Sequence, residues 1–103
     1  FDAERRKQQA DMFDRLIYGT PAEKVQAIET LVNIKSFSFR DYLPGMLRDG
    51  SPDVRLAAAR AALELERTER IPDLETIIRL EPDVKVKAQL QQSLNGLKQI
   101  LGK

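Results

Sequence analysis

Asp49-Gly50-Ser51-Pro52-Asp53-Val54-Arg55-Leu56-Ala57-Ala58-Ala59-Arg60-Ala61-Ala62-Leu63 is the stretch whose reading decides the fold. Asp-Gly-Ser closes whatever precedes it. Ser51 offers an N-cap, and Pro52 suits the first helical position, where its missing N–H has no partner to lose. From Val54 to Leu65 only Arg55, Arg60 and Glu64 are polar. A helix apolar nearly all round has to be covered on several sides, so this one is expected at the centre of the molecule. Its alanines, Ala57, Ala58, Ala59, Ala61 and Ala62, let neighbouring helices approach closely.

Working outward, Pro21 and Pro82 also lead small-residue-rich apolar runs, 31 residues before Pro52 and 30 after it. A period of this size marks helix pairs that cannot bury a face alone and stack to do so. The expected fold is all-α: a right-handed α-α superhelix of about three helical hairpins, six helices, and no strand. Superposing the proline-led runs puts Ile28, Ala59 and Leu90 in one inward row and Val32, Leu63 and Leu94 in another. Glu29, Arg60 and Gln91 form a polar outer row, as do Asn33, Glu64 and Asn95. The proline spacing slips by one residue in the last unit.

The first helix is expected over about 2–18, with Met12, Phe13, Leu16 and Ile17 inward and Gly19 as its stop. Residues 1–19 then form an N-terminal helix continuing an upstream segment, and 20–103 the repeats. Thr20-Pro21-Ala22-Glu23 reads as a capping box, and Val25, Ile28, Leu31, Val32 and Ile34 as the second helix's stripe, ending near Lys35. A third helix, capped by Ser38 or Asp41 and ending near Asp49, is expected either to kink at Pro44-Gly45, the favoured reading, or to start only at Pro44 and be very short. The fifth runs from Pro72 to Leu80 and the sixth from Pro82 to about Leu101, with Leu90, Leu94, Leu97 and Leu101 as its stripe. The polar remainder of that last helix suits the end of a stack. Phe37, Phe39, Tyr42 and Met46 gather apolar bulk at the connector, either as core filling or as an exposed patch.

The central stretch resembles the HEAT repeat family, in its short, phycobilisome-lyase-like form. The family reading is an acidic residue, Val-Arg, an alanine-rich helix, then a connector and Ile-Pro opening the partner helix. Ile71-Pro72-Asp73-Leu74 supplies the second element, and Glu81-Pro82-Asp83-Val84-Lys85 repeats the first with lysine for arginine. Leu43-Pro44 is a shifted copy of Ile-Pro, and Ala22-Glu23-Lys24 departs most from the pattern. The resemblance spans roughly residues 20–101. It implies a structural ladder between neighbouring repeats through Asp53 with Arg55 and Asp83 with Lys85, and a surface that binds other proteins.

The residues themselves narrow the functional class. The 103 residues contain no histidine and no cysteine, removing the commonest general base, the usual zinc ligands and the thiol nucleophile. No glycine-rich phosphate loop or calcium-loop spacing is present. Glu64 with Glu66, or Asp73 with Glu75, would make a carboxylate pair only if residues two apart shared a helix face, which they do not. A non-catalytic chain without cofactor or metal is expected. Seventeen basic and sixteen acidic residues are well mixed, and no apolar run is long enough to span a membrane. The chain opens on Phe1 and reads as a piece of a longer polypeptide.

Three functions remain open at this point. The first is a protein-interaction or scaffolding module, its partner another protein or another domain of the same polypeptide, bound along Glu29, Asn33, Arg60, Glu64, Gln91 and Asn95. The second is a structural or self-assembling spacer. The third, nucleic-acid or anionic-surface binding through Arg55, Arg60, Arg67 and Arg70, is disfavoured because Glu64, Glu66 and Glu69 intervene.

Overall fold

The computed structural model describes residues 2–102; Phe1 and Lys103 lie outside the described residues. The helices are α1 (Asp2–Tyr18), α2 (Pro21–Asn33), α3 (Leu43–Leu47), α4 (Pro52–Glu64), α5 (Ile71–Leu80) and α6 (Val84–Leu101), with no strand among the described residues. They pair as three antiparallel hairpins, α1/α2, α3/α4 and α5/α6. The second helices stack side by side, α2 on α4 and α4 on α6, while α3 and α5 make the other layer with α1 at its end. The envelope of 41 × 32 × 16 Å is that of a two-layer slab. The fold is the expected all-α repeat solenoid.

Alanine sets the core. Helix α4 touches α2, α3 and α6 at once, and Val54, Leu56, Ala57, Ala58, Ala59, Ala61 and Ala62 are all buried. Small side chains in the middle helix require larger ones opposite: Leu31, Leu43, Leu47, Leu74, Leu90 and Leu97 are fully enclosed. At Gly96 the closeness reaches its limit, because a Cβ there would stand 2.6 Å from Leu63 Cδ1. Three expected core residues face water instead: Ile17, Ile34 and Leu101. Ile34 is the C-cap residue of α2 and Leu101 the last residue of α6, both at helix ends where the packed stripe has run out.

The connectors repeat as faithfully as the helices. Lys35 (φ 52°) and Glu66 (φ 55°) take the left-handed conformation just past α2 and α4. Each closes the same pair of bonds, Lys35 N to Val32 O with Ser36 N to Leu31 O, and Glu66 N to Leu63 O with Arg67 N to Ala62 O. Two Schellman stops thus form without glycine. A 3-10 turn follows each, Ser38–Tyr42 and Thr68–Arg70. Leu43-Pro44 and Ile71-Pro72 then open α3 and α5 with proline in the first turn. The third helix is therefore not one kinked rod capped by Ser38 or Asp41. Proline falls where an α-helix has no N–H bond to lose, so the α segment begins there and is only five residues long.

The sixth helix corrects the repeat register. It begins at Val84, with Asp83 as N-cap accepting from Val86 N at 3.0 Å, and Pro82 lies outside. An aspartate is a far better cap than the residue before a proline, so the helix starts two residues later than the proline suggests. The caps Thr20, Ser51 and Asp83 are 31 and 32 residues apart. The first-turn bonds agree: Lys24 N to Thr20 O, Arg55 N to Ser51 O and Lys87 N to Asp83 O. Counted from the caps, Ala27, Ala58 and Leu90 form one buried row and Leu31, Ala62 and Leu94 another. Gln92, not Gln91, then falls level with Glu29 and Arg60.

The connector aromatics divide. Phe39 is fully buried, and Tyr42 and Met46 pack partly against the core, with Phe13 and Tyr42 stacked at 4.7 Å. Phe37 is 70% exposed beneath the Arg40 guanidinium, 3.6 Å from its ring centroid. Phe39→Ser is expected to cost about 3–5 kcal/mol, as core phenylalanine truncations do, and Phe37→Ser less than about 1 kcal/mol. Urea unfolding of the two variants checks the contrast. Ala58→Leu, which overfills the row between α2 and α6, is expected to cost about 1–3 kcal/mol, read as a fall of several degrees in Tm.

Candidate functional site

Two features stand on this framework: a charged ladder across the hairpin turns, and a groove between α2 and α4. In the ladder, Lys24 Nζ donates to Asp49 Oδ1 at 2.8 Å, and the second Asp49 oxygen accepts from Ser51 N at 2.9 Å. Arg55 repeats the pattern one hairpin on. One arm donates to Glu81 Oε1 at 2.7 Å, and the second Glu81 oxygen accepts from Asp83 N at 3.1 Å. The other arm of Arg55 returns to the Asp49 carbonyl at 2.8 Å. Each carboxylate stands two residues before its N-cap and joins its own helix start to the preceding hairpin's cation.

The ladder thus runs through Lys24, Asp49, Arg55 and Glu81. Asp53 is exposed in the first turn of α4, where a carboxylate favours the helix dipole, and Asp83 spends its carboxylate on its own cap. Neither bridges two repeats, because both lie after the turn and not within it. Lys85 is exposed, and by the cap count Lys87 is the third member of the Lys24–Arg55 series. In the first hairpin the acid position is Tyr18. There the Thr20 N–H is taken instead by Glu23 Oε1 at 3.1 Å, completing the expected capping box.

Burial alone would raise the Asp49 pKa. The Lys24 and Ser51 N–H bonds and the charges of Lys24 and Arg55 outweigh it, and the carboxyl is held below its ordinary value of 3.8. Glu81 is the most enclosed charge in the network, its side chain 3% exposed against 17% for Arg55.

The groove is lined by four of the six expected surface residues. Glu29 and Asn33 from α2 and Arg60 and Glu64 from α4 surround a recess of about 250 Å³ over Ile28, Val32, Ala57 and Ala61. A second recess of about 520 Å³, between Pro21, Ala22, Val25, Asp53 and Leu56, meets the first at Ala57 and Arg60. Glu29, Asn33, Arg60 and Glu64 are all exposed. Gln91 and Asn95 lie elsewhere, bonded to each other at 2.9 Å on α6. By the cap count they occupy the places of Ala59 and Leu63, which face the next hairpin, so the one-residue slip has turned them onto the edge of the stack.

The arginines considered for nucleic acid are dispersed. Arg55 is held by Glu81, Arg67 by Glu69 and Arg70 by Asp73. Arg60 alone of the four has no ion pair among the described residues.

A family model for HEAT repeats matches residues 14–95. The chain belongs to the HEAT repeat family. No curated protein and no solved structure matches it. HEAT repeats generally mediate protein–protein interaction or scaffolding and are typically non-catalytic. Among the described residues no cluster of three or more acidic side chains could hold a metal ion, and no helix is long and apolar enough to cross a membrane.

The HEAT ladder makes two predictions. Arg55→Met leaves the Glu81 carboxylate enclosed without its cation and is expected to cost about 3–5 kcal/mol, whereas Lys24→Met, at a more exposed pair, costs less. Adding Glu81→Gln to Arg55→Met recovers part of the loss; denaturant unfolding of the three variants reads this. A carboxyl held below its unfolded value stabilises fully above that value and loses the contribution as pH falls through the folded pKa. Stability is therefore expected to fall on acidification below about pH 4, and Asp49→Asn to make that acid limb shallower in Tm against pH.

Proposed function

We propose that this chain is a non-catalytic interaction and scaffolding module, and that it grips its partner along the α2/α4 groove. The observation that supports the reading best is Arg60. It stands at the junction of the two recesses, exposed and without an ion pair among the described residues, over a floor of apolar side chains. An exposed arginine that no neighbouring carboxylate holds has its guanidinium donors available to a partner's carboxylate or aromatic ring, and arginine is enriched among interface anchors. Glu29, Asn33 and Glu64 around it supply a polar rim of the usual kind.

The test is capture of cellular partners on immobilised protein, comparing the wild-type chain with Arg60→Glu and with Arg79→Glu, an exposed change on α5 in the other layer. Specific partners are expected to be lost with Arg60→Glu and kept with Arg79→Glu, both variants retaining helical circular dichroism. Undiminished recovery by Arg60→Glu would sink the assignment of this face.

A further inference from the structure

We infer that the α2/α4 groove takes a basic amphipathic helical segment of a partner protein, with cationic residues toward both of its ends and one carboxylate between them. The inference rests on the groove being the partner face and adds the chemistry of what fills it.

The charges along the groove are sorted. On α4, Asp53, Arg60 and Glu64 follow in order, with Glu29 of α2 in the same recess as Arg60. At the helical rise, Asp53 stands about 10 Å from Arg60 along the axis and Glu64 about 6 Å beyond it. Three carboxylates thus meet one guanidinium, in a chain whose net charge is +1. The balance differs elsewhere: a separate recess of about 330 Å³ at the turns before α3 and α5 is lined by Arg40, Arg67 and Arg70 against Asp41 and Glu69. The groove is acidic because its residues are placed so. A polyanion would meet two of these carboxylates at the ends of the groove, and a basic segment would meet an opposite charge there.

The shape favours a helix. Both walls are helices whose backbone groups bond within themselves, and the floor is Val25, Ile28, Leu56 and Ala57. An extended strand laid here would find no backbone edge to pair with, and its N–H and C=O groups turned to the apolar floor would go unmet. A helix brings its backbone already satisfied and sets an apolar stripe at i, i+3, i+4 on the floor. From Asp53 to Glu64 the groove runs about 16 Å, three helical turns.

The experiment uses three fluorescent amphipathic helical peptides of equal apolar face. One has lysines flanking a single glutamate, one has glutamates flanking a lysine, and one has glutamines throughout. Fluorescence anisotropy is recorded with the wild-type chain, Asp53→Lys, Glu64→Lys and the double reversal, each checked by circular dichroism. The lysine peptide is expected to bind most tightly, weakening about tenfold or more with each reversal and falling steadily between about 50 and about 500 mM salt. The glutamate peptide is expected to gain binding to the double reversal.

Equal binding of the lysine and glutamate peptides, indifference to both reversals, or no binding by any peptide overturns the inference. If the glutamate peptide is preferred and partner capture still needs Arg60, the face stands and this chemistry falls. If neither capture nor peptide binding responds to any change in the groove, both fall. Sedimentation of the chain alone completes the test, because a dimer that Glu64→Lys dissolves would make a second copy the occupant and overturn the proposal.

Discussion

Two carboxylates, Asp49 and Glu81, each hold the N–H of the N-cap residue before α4 or α6 with one oxygen and the cation of the preceding hairpin with the other. The rest of the slab depends on that double duty. An alanine-rich helix is smooth, and two smooth helices can slide past one another by a turn at little loss of apolar contact. A bidentate carboxylate anchored to a helix start has no such freedom. Buried ion pairs add little net stability over well-packed apolar groups, and their best-attested use is to fix register. Here they fix the axial phase of α2 against α4, and through Glu81 that of α4 against α6. The groove inherits its geometry from this, since Glu29 and Arg60 are level only while Lys24 reaches Asp49.

Much of the architecture is legible because the signals are local. Thr20 and Glu23 form their capping box, α4 is central because its run has no solvent side, and the period announces stacked hairpins. The errors share one cause. A proline just before an N-cap and a proline at the first helical position look alike in sequence, and at Pro82 the stronger cap, Asp83, wins by being adjacent. That single choice shifts Lys87 into the ladder series and swings Gln91 and Asn95 from the groove side to the stack edge. The ladder acids escape for a related reason. Asp53 and Asp83 attract notice beside Val-Arg and Val-Lys, yet the geometry of the turn gives the bridging role to carboxylates two residues before the cap.

The groove was legible in part. Glu29, Asn33, Arg60 and Glu64 come together because α2 and α4 keep a strict 31-residue cap spacing. Asp53, Val25 and Leu56 were not read as its other half, since no periodic signal marks a recess: it exists because alanines leave depth between two helices. Two of the connector's aromatic residues also needed coordinates. Phe37 and Phe39 are separated by one residue, and only the 3-10 turn decides which of them goes inward.

The Gln91–Asn95 pair has a further consequence. On α4 the matching places are Ala59 and Leu63, and against them α6 finds a dry wall. On α6 they are amides that hydrogen-bond each other and keep their remaining donors and acceptors for water. Copies meeting edge to edge at these two positions would have to strip that hydration. A slab made of interchangeable layers is the kind of object that could run on into filaments, and two carboxamides one helical turn apart stand against it.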